Sequence, residues 1–592
     1  MKHNKLLSLC ALLMALVMAV GLFGCSAQTA DGPADETPAP KASETPAAVE
    51  ALYTAGTYTA SAKGNNGDVT VSVTFSDTEI TAVEVTSHSE TAGISDGAIE
   101  RLPAAIVAGQ TLAVDTVSGA TNTSNAILTA VADCVAQAGG DVEALRNASA
   151  PEADVSAGED VSCDIVVVGG GGAGMTAALK ASEAGARVIL VEKEAQLGGN
   201  TLLGSSIFNA AGSKMQLEQG TEGATADALY EKLTKSNTAA RPEALRYLAD
   251  QSGAAADWLS GIGMDLTRVF NIFGHGPADG SAPGAKIVAA MKGAMDAQEV
   301  EYHLEAEATE ILKDESGAVC GVRVNDSYNI NARAVIMASG GFAANAELVT
   351  EYDPRWEGLS YSCSSSATGE GTIIAREAGA ALTNMTNVKV NPTAYYTSET
   401  ACFSVAPLRI NGCIMVSHAG VRILNEEGAY TPNSETIVNN GGEVYMIFDQ
   451  TLVDQVAAIA QYKESGYLIS ADTLEGLADQ IDVDKEAFLK TCADFTTYAQ
   501  NGEDPDFGKK NFTTDLTNAP YYAMLAKPAV QGTFGGISTN ENAEVLDENG
   551  SVIPGLYAAG ECADDGTMGE APLTVNVVFG TLAAQSALAY IG

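Results

Sequence analysis

The stretch Asp164-Ile165-Val166-Val167-Val168-Gly169-Gly170-Gly171-Gly172-Ala173-Gly174 decides the fold. Its four consecutive apolar residues read as a strand buried on both faces. They run into a glycine turn, after which residues 175–184 read as a helix rich in Ala and Leu. A second apolar strand, Arg187-Val188-Ile189-Leu190-Val191, ends at Glu192. A glycine triplet alone is weak evidence. Set between a strand and a helix, with an acid closing the next strand, it is the turn that receives a dinucleotide pyrophosphate. Gly169 makes the turn, Gly171 admits the pyrophosphate and Gly174 lets helix and strand pack closely. Glu192 is expected to hydrogen-bond the adenosine ribose hydroxyls, and its charge disfavours a 2′-phosphate.

Around this unit the chain has room for more. Its 592 residues allow three or four structural units at roughly 100–200 residues each. The formal charge is −44, from 31 Lys+Arg against 75 Asp+Glu. Such a surface repels phosphate backbones, which excludes nucleic acid as a partner, and it suits an exposed aqueous compartment. The ten cysteines are scattered and form no CxxC or CxxCH pattern, so iron–sulfur, zinc and c-type haem sites lack support. His88, His275, His303 and His418 show no metal-ligand spacing either.

The N-terminus reads as a secretion leader over residues 1–24: Lys2 and Lys5, then an apolar run over residues 6–23. Leu22-Phe23-Gly24-Cys25 resembles a bacterial lipobox, which implies lipidation of Cys25 and a cell-membrane, lipid-anchored location on the extracytoplasmic face. Residues 25–50, rich in Ala, Thr, Pro and acids, read as a disordered stalk.

Residues 51–145 are expected to form a small domain. Val69, Val71, Val73 and Phe75 alternate as in a half-buried strand, and Ile80, Val83 and Val85 mark a second. Ile127, Val131 and Val135 lie on one face of a helix starting after Ser124. Between them sits Asp115-Thr116-Val117-Ser118-Gly119-Ala120-Thr121-Asn122-Thr123-Ser124. This loop resembles the attachment motif of FMN-binding domains. The resemblance implies FMN held covalently through a phosphoester to Thr121, installed by a flavin transferase. Gly119 and Ala120 leave the backbone open, and Ser118, Thr123 and Ser124 are expected to donate to phosphate oxygens. His88-Ser89-Glu90-Thr91-Ala92-Gly93-Ile94 also resembles that family's loop near the flavin.

After a linker over residues 146–160, residues 161–592 resemble the flavoprotein subunit of fumarate reductases, with urocanate reductases and ketosteroid dehydrogenases as relatives. The resemblance rests on Gly198-Gly199-Asn200-Thr201, on Ala334-Val335-Ile336-Met337-Ala338-Ser339-Gly340-Gly341, on Ala367-Thr368-Gly369-Glu370-Gly371 and on Ile553-Pro554-Gly555-Leu556-Tyr557-Ala558-Ala559-Gly560-Glu561. It implies non-covalent FAD, with Gly199, Asn200, Thr201, Gly340, Gly341, Gly369, Gly560 and Glu561 among the residues that hold it. The fold class expected is therefore α/β and α+β multidomain. The small FMN-binding domain is followed by a Rossmann-like FAD-binding domain over 161–390 and 532–592, with a cap domain inserted over 391–531.

The substrate positions depart from that family. Its dicarboxylate-holding His and Arg residues correspond to Asn391, Gly532 and Pro572, and its proton-donating Arg to Tyr430. An acid of its proton relay becomes Ala406, while Arg409 is retained. Two carboxylates without cationic partners are strongly disfavoured in a buried cleft, so fumarate is not the expected acceptor. Tyr395, Tyr396, Phe403, Tyr430 and Phe534 are either cap core or acceptor contacts. Tyr430 is the expected acid, since a tyrosine hydroxyl with an ordinary pKa of about 10 stays protonated at neutral pH. Arg409 is expected to assist it, to hold a single anionic group or to form a structural salt bridge. The function expected is an extracytoplasmic respiratory reductase, with electrons passing from a membrane donor through FMN and FAD to a small-molecule acceptor. That acceptor is an electron-poor double bond, as in an aromatic enoate or an enone. The alternatives are a dehydrogenase, a reductase of another neutral acceptor such as a sulfoxide, and a two-flavin electron-transfer hub without a substrate.

Overall fold

The computed structural model describes residues 51–91, 93–117, 119–148, 159–205, 207–236, 240–397, 402–564, 568–569 and 571–592. The leader, the stalk with Cys25, and Ser118 lie outside the described residues.

The first domain is a three-stranded antiparallel sheet, β1 (Gly56–Lys63), β2 (Asp68–Phe75) and β3 (Ile80–Ser87), in that order. Val69, Val71, Val73 and Phe75 of β2 point to one face and are buried. Against that face pack α1 (Asp96–Gly109) and α2 (Thr121–Gln137). The sequence pattern placed β2, β3 and the face of α2. It missed β1, whose outward residues blur the alternation, and it began α2 too late. The helix starts at Thr121, within the motif.

The dinucleotide unit follows: β4 (Ile165–Val168), α3 (Gly172–Glu183) and β5 (Val188–Val191). Every residue of β4 and β5 is buried, as continuous apolar runs require in a sheet covered on both sides. The sheet is completed by β6 (Glu301–His303) and β7 (Ala334–Met337), and α4 (Glu370–Glu377) starts just after the Ala367–Gly371 stretch.

Then come β8 (Val388–Tyr396), β9 (Cys402–Ser404), α5 (Ala406–Ile410), β10 (Ile414–Val416), α6 (Tyr430–Asn439), β11 (Val444–Asp449) and β12 (Tyr521–Thr533). These strands form a separate antiparallel sheet of order β9-β8-β12-β11-β10. Positions 391 and 531, the expected limits of the cap, fall inside β8 and β12, so two long strands carry the chain across both limits.

The chain returns through β13 (Glu544–Leu546) and β14 (Val552–Ala558) to α7 (Pro572–Ile591). The central sheet has the order β6-β5-β4-β7-β14-β13, parallel except for β13 at the edge. Helix α7 is long and apolar, but its Val, Leu and Ala side chains pack against α3 and the sheet in the main core. Mixed helix and sheet in separate layers, with a parallel sheet at the centre, is the fold class the sequence implied.

Candidate flavin sites and acceptor cleft

The FMN motif folds into a tight turn capped by a helix start. Gly119 adopts φ +81°, the Ala120 amide donates to Val117 O at 2.9 Å, and Thr121 begins α2. Ser124 Oγ donates to Ala120 O at 3.0 Å and accepts from the Val117 amide at 3.1 Å. Thr123 Oγ1 donates to the Glu90 carboxylate, which also accepts from the amides of Asn65 at 3.0 Å and Asn66 at 2.8 Å. Thr123 and Ser124 were expected to face phosphate. They brace the loop instead, because buried hydroxyls satisfy the nearest backbone and carboxylate groups. Thr121 is left half-buried at the first turn of α2, a setting that suits a phosphate. Glu90 comes from the loop that resembled the FMN-binding family's, so that signal was present but gave no role.

The loop stands against the FAD-binding domain. A Cβ on Gly119 would lie 3.9 Å from Gln196 Nε2 and 4.0 Å from Leu202 Cδ1. Leu202 ends the short helix Gly199–Leu202, whose Gly199, Asn200 and Thr201 line a cavity of that domain.

That cavity encloses about 1080 Å³ of non-protein space, part of it open to solvent. Gly169, Gly171, Glu192, Gly199, Asn200, Thr201, Gly340 and Glu561 of the expected residues line it. Gly174, Gly341, Gly369 and Gly560 are not among its lining residues. Two of these glycines are dictated by close approach. At Gly169, with φ +107°, a Cβ would lie 2.4 Å from Ala338 O. At Gly174 it would lie 1.9 Å from Gly169 O. The wall also includes residues the motifs did not flag, among them Lys193, Glu307 and Asn576. Lys193 Nζ donates to Thr368 Oγ1 at 2.5 Å and Glu370 Oε2 at 2.8 Å, which ties the acid-ended strand to the start of α4.

Two carboxylates of this cavity are held by amide donors. Glu192 accepts from the Gly170 amide at 2.7 Å and the Glu194 amide at 2.8 Å. Glu561 accepts from Asn200 Nδ2 at 2.9 Å and the Thr533 amide at 3.1 Å. Burial pushes both carboxyls above the usual carboxylate range, against these hydrogen bonds. The donor set fits FAD: a glycine turn at a helix start for pyrophosphate, a carboxylate for ribose hydroxyls, and an elongated cavity between sheet and helices.

Glu561 leads from this cavity to the second sheet. A Cβ on Gly532 would lie 3.2 Å from Glu561 Oε1 and 3.7 Å from Phe534 Cε1. Tyr430, the first residue of α6, lies nearby through Lys389. The Lys389 ammonium stands 5.0 Å from the Tyr430 ring centre and 5.7 Å from that of Phe534. The other face-to-cation contact of Tyr430 is with Arg409, at 4.5 Å. Arg409 Nη1 donates to Glu426 O at 2.8 Å and Gly428 O at 3.1 Å. Arg409 thus clamps the turn that launches α6. The turn is also anchored by the buried Glu426 carboxylate, which accepts from Arg422 Nη2 at 2.7 Å and from the Met415 amide at 3.0 Å.

The remaining expected aromatics separate. Tyr395 and Phe403 pack on each other and on Tyr467, partly buried against the core of the second sheet. Tyr396 Oη donates to Pro528 O at 2.8 Å. Asn391 is fully buried, donating to Ser404 Oγ at 2.8 Å. Pro572 starts α7 and lines the FAD cavity.

The family model for an FAD binding domain matches residues 164–576, and that for an FMN-binding domain matches residues 64–136. The chain is similar to the NADH:acrylate oxidoreductase of Vibrio harveyi, 30% identical over 86% of this chain. It spans 58% of that protein's length. It is similar to the urocanate reductase of Eggerthella lenta, 31% identical over 90% of this chain and 92% of that protein. Among solved structures it resembles the open conformation of a flavocytochrome c3 fumarate reductase, with a TM-score of 0.66, 28% identity, and coverage of 75% of this chain and 84% of that one.

Proposed function

The chain belongs to the FAD-binding family of fumarate reductase-like flavoproteins, with an FMN-binding domain ahead of its FAD-binding domain, and from that premise we propose that it reduces an electron-poor carbon–carbon double bond other than that of fumarate. FAD and FMN are its cofactors. The observation that carries the reading is the placement of Tyr430 between Arg409 and Lys389, the latter a lysine whose charge also acts on Glu561 of the FAD cavity.

FAD, held by the glycine turn at Gly169–Gly172 with Glu192 and Glu561, would supply a hydride equivalent for the β-carbon of the acceptor. The chain's own residues do the rest. Tyr430 donates a proton from its hydroxyl to the adjacent carbon. Arg409 positions it by fixing the turn from Glu426 to Gly428 and by stacking on its ring. Phe534 gives the cleft an apolar wall and excludes water. Asn391, Gly532 and Pro572 offer no charge to a second carboxylate, which argues against fumarate. Thr121 carries FMN through a phosphoester, and its loop abuts the Gly199–Leu202 segment of the FAD cavity, as an electron relay requires. Cys25 anchors the chain to the outer face of the cell membrane, where a membrane donor supplies electrons.

Photoreduced protein mixed anaerobically with paired acceptors tests the reading. Enoates or enones should reoxidise it while fumarate does not. Reoxidation only by sulfoxides, or only by free flavin and metal chelates, would replace it by one of the other functions.

A further inference from the structure

Helix α1 of the first domain carries a glycine that the helix itself does not need. Gly97 is the second residue of α1 and has helical backbone, a conformation in which glycine is a poor choice. What the glycine leaves is room for a side chain of the FAD-binding domain. A Cβ on Gly97 would lie 2.5 Å from Gln196 Oε1 and 3.3 Å from Val117 Cγ1. The other end of the same amide, Gln196 Nε2, stands 3.9 Å from a Cβ on Gly119 of the FMN motif. Gln196 thus fits between α1 and the attachment loop. Two neighbours extend the contact. Ile94, three residues before Gly97, packs against the main core of the FAD-binding domain. Arg101, one helical turn after Gly97, pairs with Glu305 at 2.5 Å. The Glu305 amide donates to Glu194 O at 3.1 Å, which joins this ion pair to the segment that carries Gln196.

We propose that Gln196, seated in the notch at Gly97, is a positioning residue that holds the FMN attachment loop against the FAD cavity. The proposal rests on the relay from FMN to FAD argued above. The step it serves moves electrons and no heavy atoms: reduced FMN is oxidised, FAD is reduced by the same two electrons for each acceptor, and protons exchange with water. Such transfer slows steeply as the gap between two flavins widens, so the seat of one domain on the other sets the rate. The three contacts differ in what they can fix. Arg101 and Glu305 are 35% and 67% exposed, and an ion pair on the surface contributes little. Ile94 supplies apolar burial, which has no direction. Gln196 has direction, because it lies between two segments of the first domain while Lys193 and Gly199 on either side of it line the FAD cavity. A larger residue at position 97 would suit the helix better and would displace Gln196. The local preference of α1 and the docking therefore pull this position in opposite directions.

The test uses the holoprotein with both flavins. Flash photoreduction with a deazaflavin delivers single electrons, and absorbance follows their passage from FMN to FAD. Hydrogen exchange at residues 93–101 and 193–197 reads the docking without reference to activity. Gly97→Leu should slow the transfer on the order of tenfold, the effect of overpacking one position, and should speed exchange in both segments. Covalent FMN, FAD content and thermal unfolding of the first domain should hold, which a merely structural role for Gly97 would not separate from the rate. Gly97→Leu combined with Gln196→Ala should transfer faster than Gly97→Leu alone, because the leucine then occupies the place of the glutamine. Arg101→Ala should slow transfer by no more than about fivefold, the reach of an exposed ion pair. Wild-type transfer and protection in Gly97→Leu overturn the proposal, and so does a double variant no faster than Gly97→Leu. Should Gly97→Leu lose a flavin, Gln196→Ala alone decides: it removes the seated side chain without adding bulk, and wild-type transfer and exchange in it overturn the proposal. A wild type in which no electron passes from FMN to FAD overturns the relay itself. Transfer indifferent to positions 97 and 196 overturns this proposal alone.

Discussion

The FMN site is local and the FAD site is distributed, and the two tolerate change differently for that reason. Around Thr121 the arrangement is set by Val117 and residues 119–124, with Glu90 and the Asn65–Asn66 amides as braces. The FAD cavity draws its wall from segments as far apart as Val168 and Asn576. A covalent link needs one reachable hydroxyl on a turn that a transferase can approach, so Thr121 remains half-buried. A cofactor held without a bond must be enclosed, which requires many segments and close backbone approach.

The largest effect follows from that contrast. Thr121→Ala should remove all covalent flavin, so the denatured protein band loses its fluorescence while FAD stays at full occupancy. A fluorescent band from the variant would break the comparison at its root, because the local site would not be where the motif and the turn put it. The second effect tests whether either flavin site depends on the cleft between the sheets. Tyr430→Phe should lower kcat and kcat/KM together by about 10²–10⁴-fold, the usual contribution of a general acid, with KM and both flavin contents unchanged. Full turnover would take Tyr430 out of the mechanism.

A third prediction probes the distributed site through backbone alone. Gly174→Ala puts a methyl group 1.9 Å from Gly169 O, between two backbone segments that cannot both move aside. Overpacking of this kind costs about 1–3 kcal/mol. Thermal unfolding of the FAD-binding domain should shift down and FAD occupancy fall, while fluorescence of the denatured band persists. Equal loss of both flavins would mean that the first domain relies on the second for its own fold.

What the sequence made legible follows the same division. The strand, glycine turn and acid of residues 164–192 are local signals, and they fall where a buried parallel sheet requires. The FMN loop was legible as a motif. Its braces were not, since nothing in the spacing of Thr123 to Glu90 announces a hydrogen bond across the domain. The cleft was least legible. Tyr395 and Phe403 stood beside Tyr430 as candidate acceptor contacts in the sequence, yet they pack against the core of the second sheet, a matter of strand register that no single stretch encodes. Lys389 was invisible for the same reason, because its position opposite Gly532 is a property of two strands more than a hundred residues apart.

The smallest effect concerns charge in the distributed site. Burial raises the pKa of Glu192, with the amides of Gly170 and Glu194 opposing the rise. A carboxyl raised in this way favours the folded chain most below its unfolded pKa, and that contribution is lost as pH climbs through the folded value. The charged form is therefore the costlier one for the fold, and in the proposed FAD site it is the stronger acceptor for ribose hydroxyls. On acidification Glu192 takes up its proton above the ordinary carboxylate range, and FAD should loosen there, before most surface carboxylates titrate. Glu561 is shifted in the same direction by its own burial and adds to the same limb. Glu192→Gln keeps an acceptor but not its charge, so at neutral pH it should weaken FAD by about 1 kcal/mol, roughly fivefold. Its affinity should then fall less steeply than that of wild type as pH drops from 7 towards 4.5, with the remaining slope due to Glu561. Parallel affinity curves for the two proteins would show that Glu192 meets FAD as a neutral group, and that the cavity's acid limb belongs to Glu561 alone.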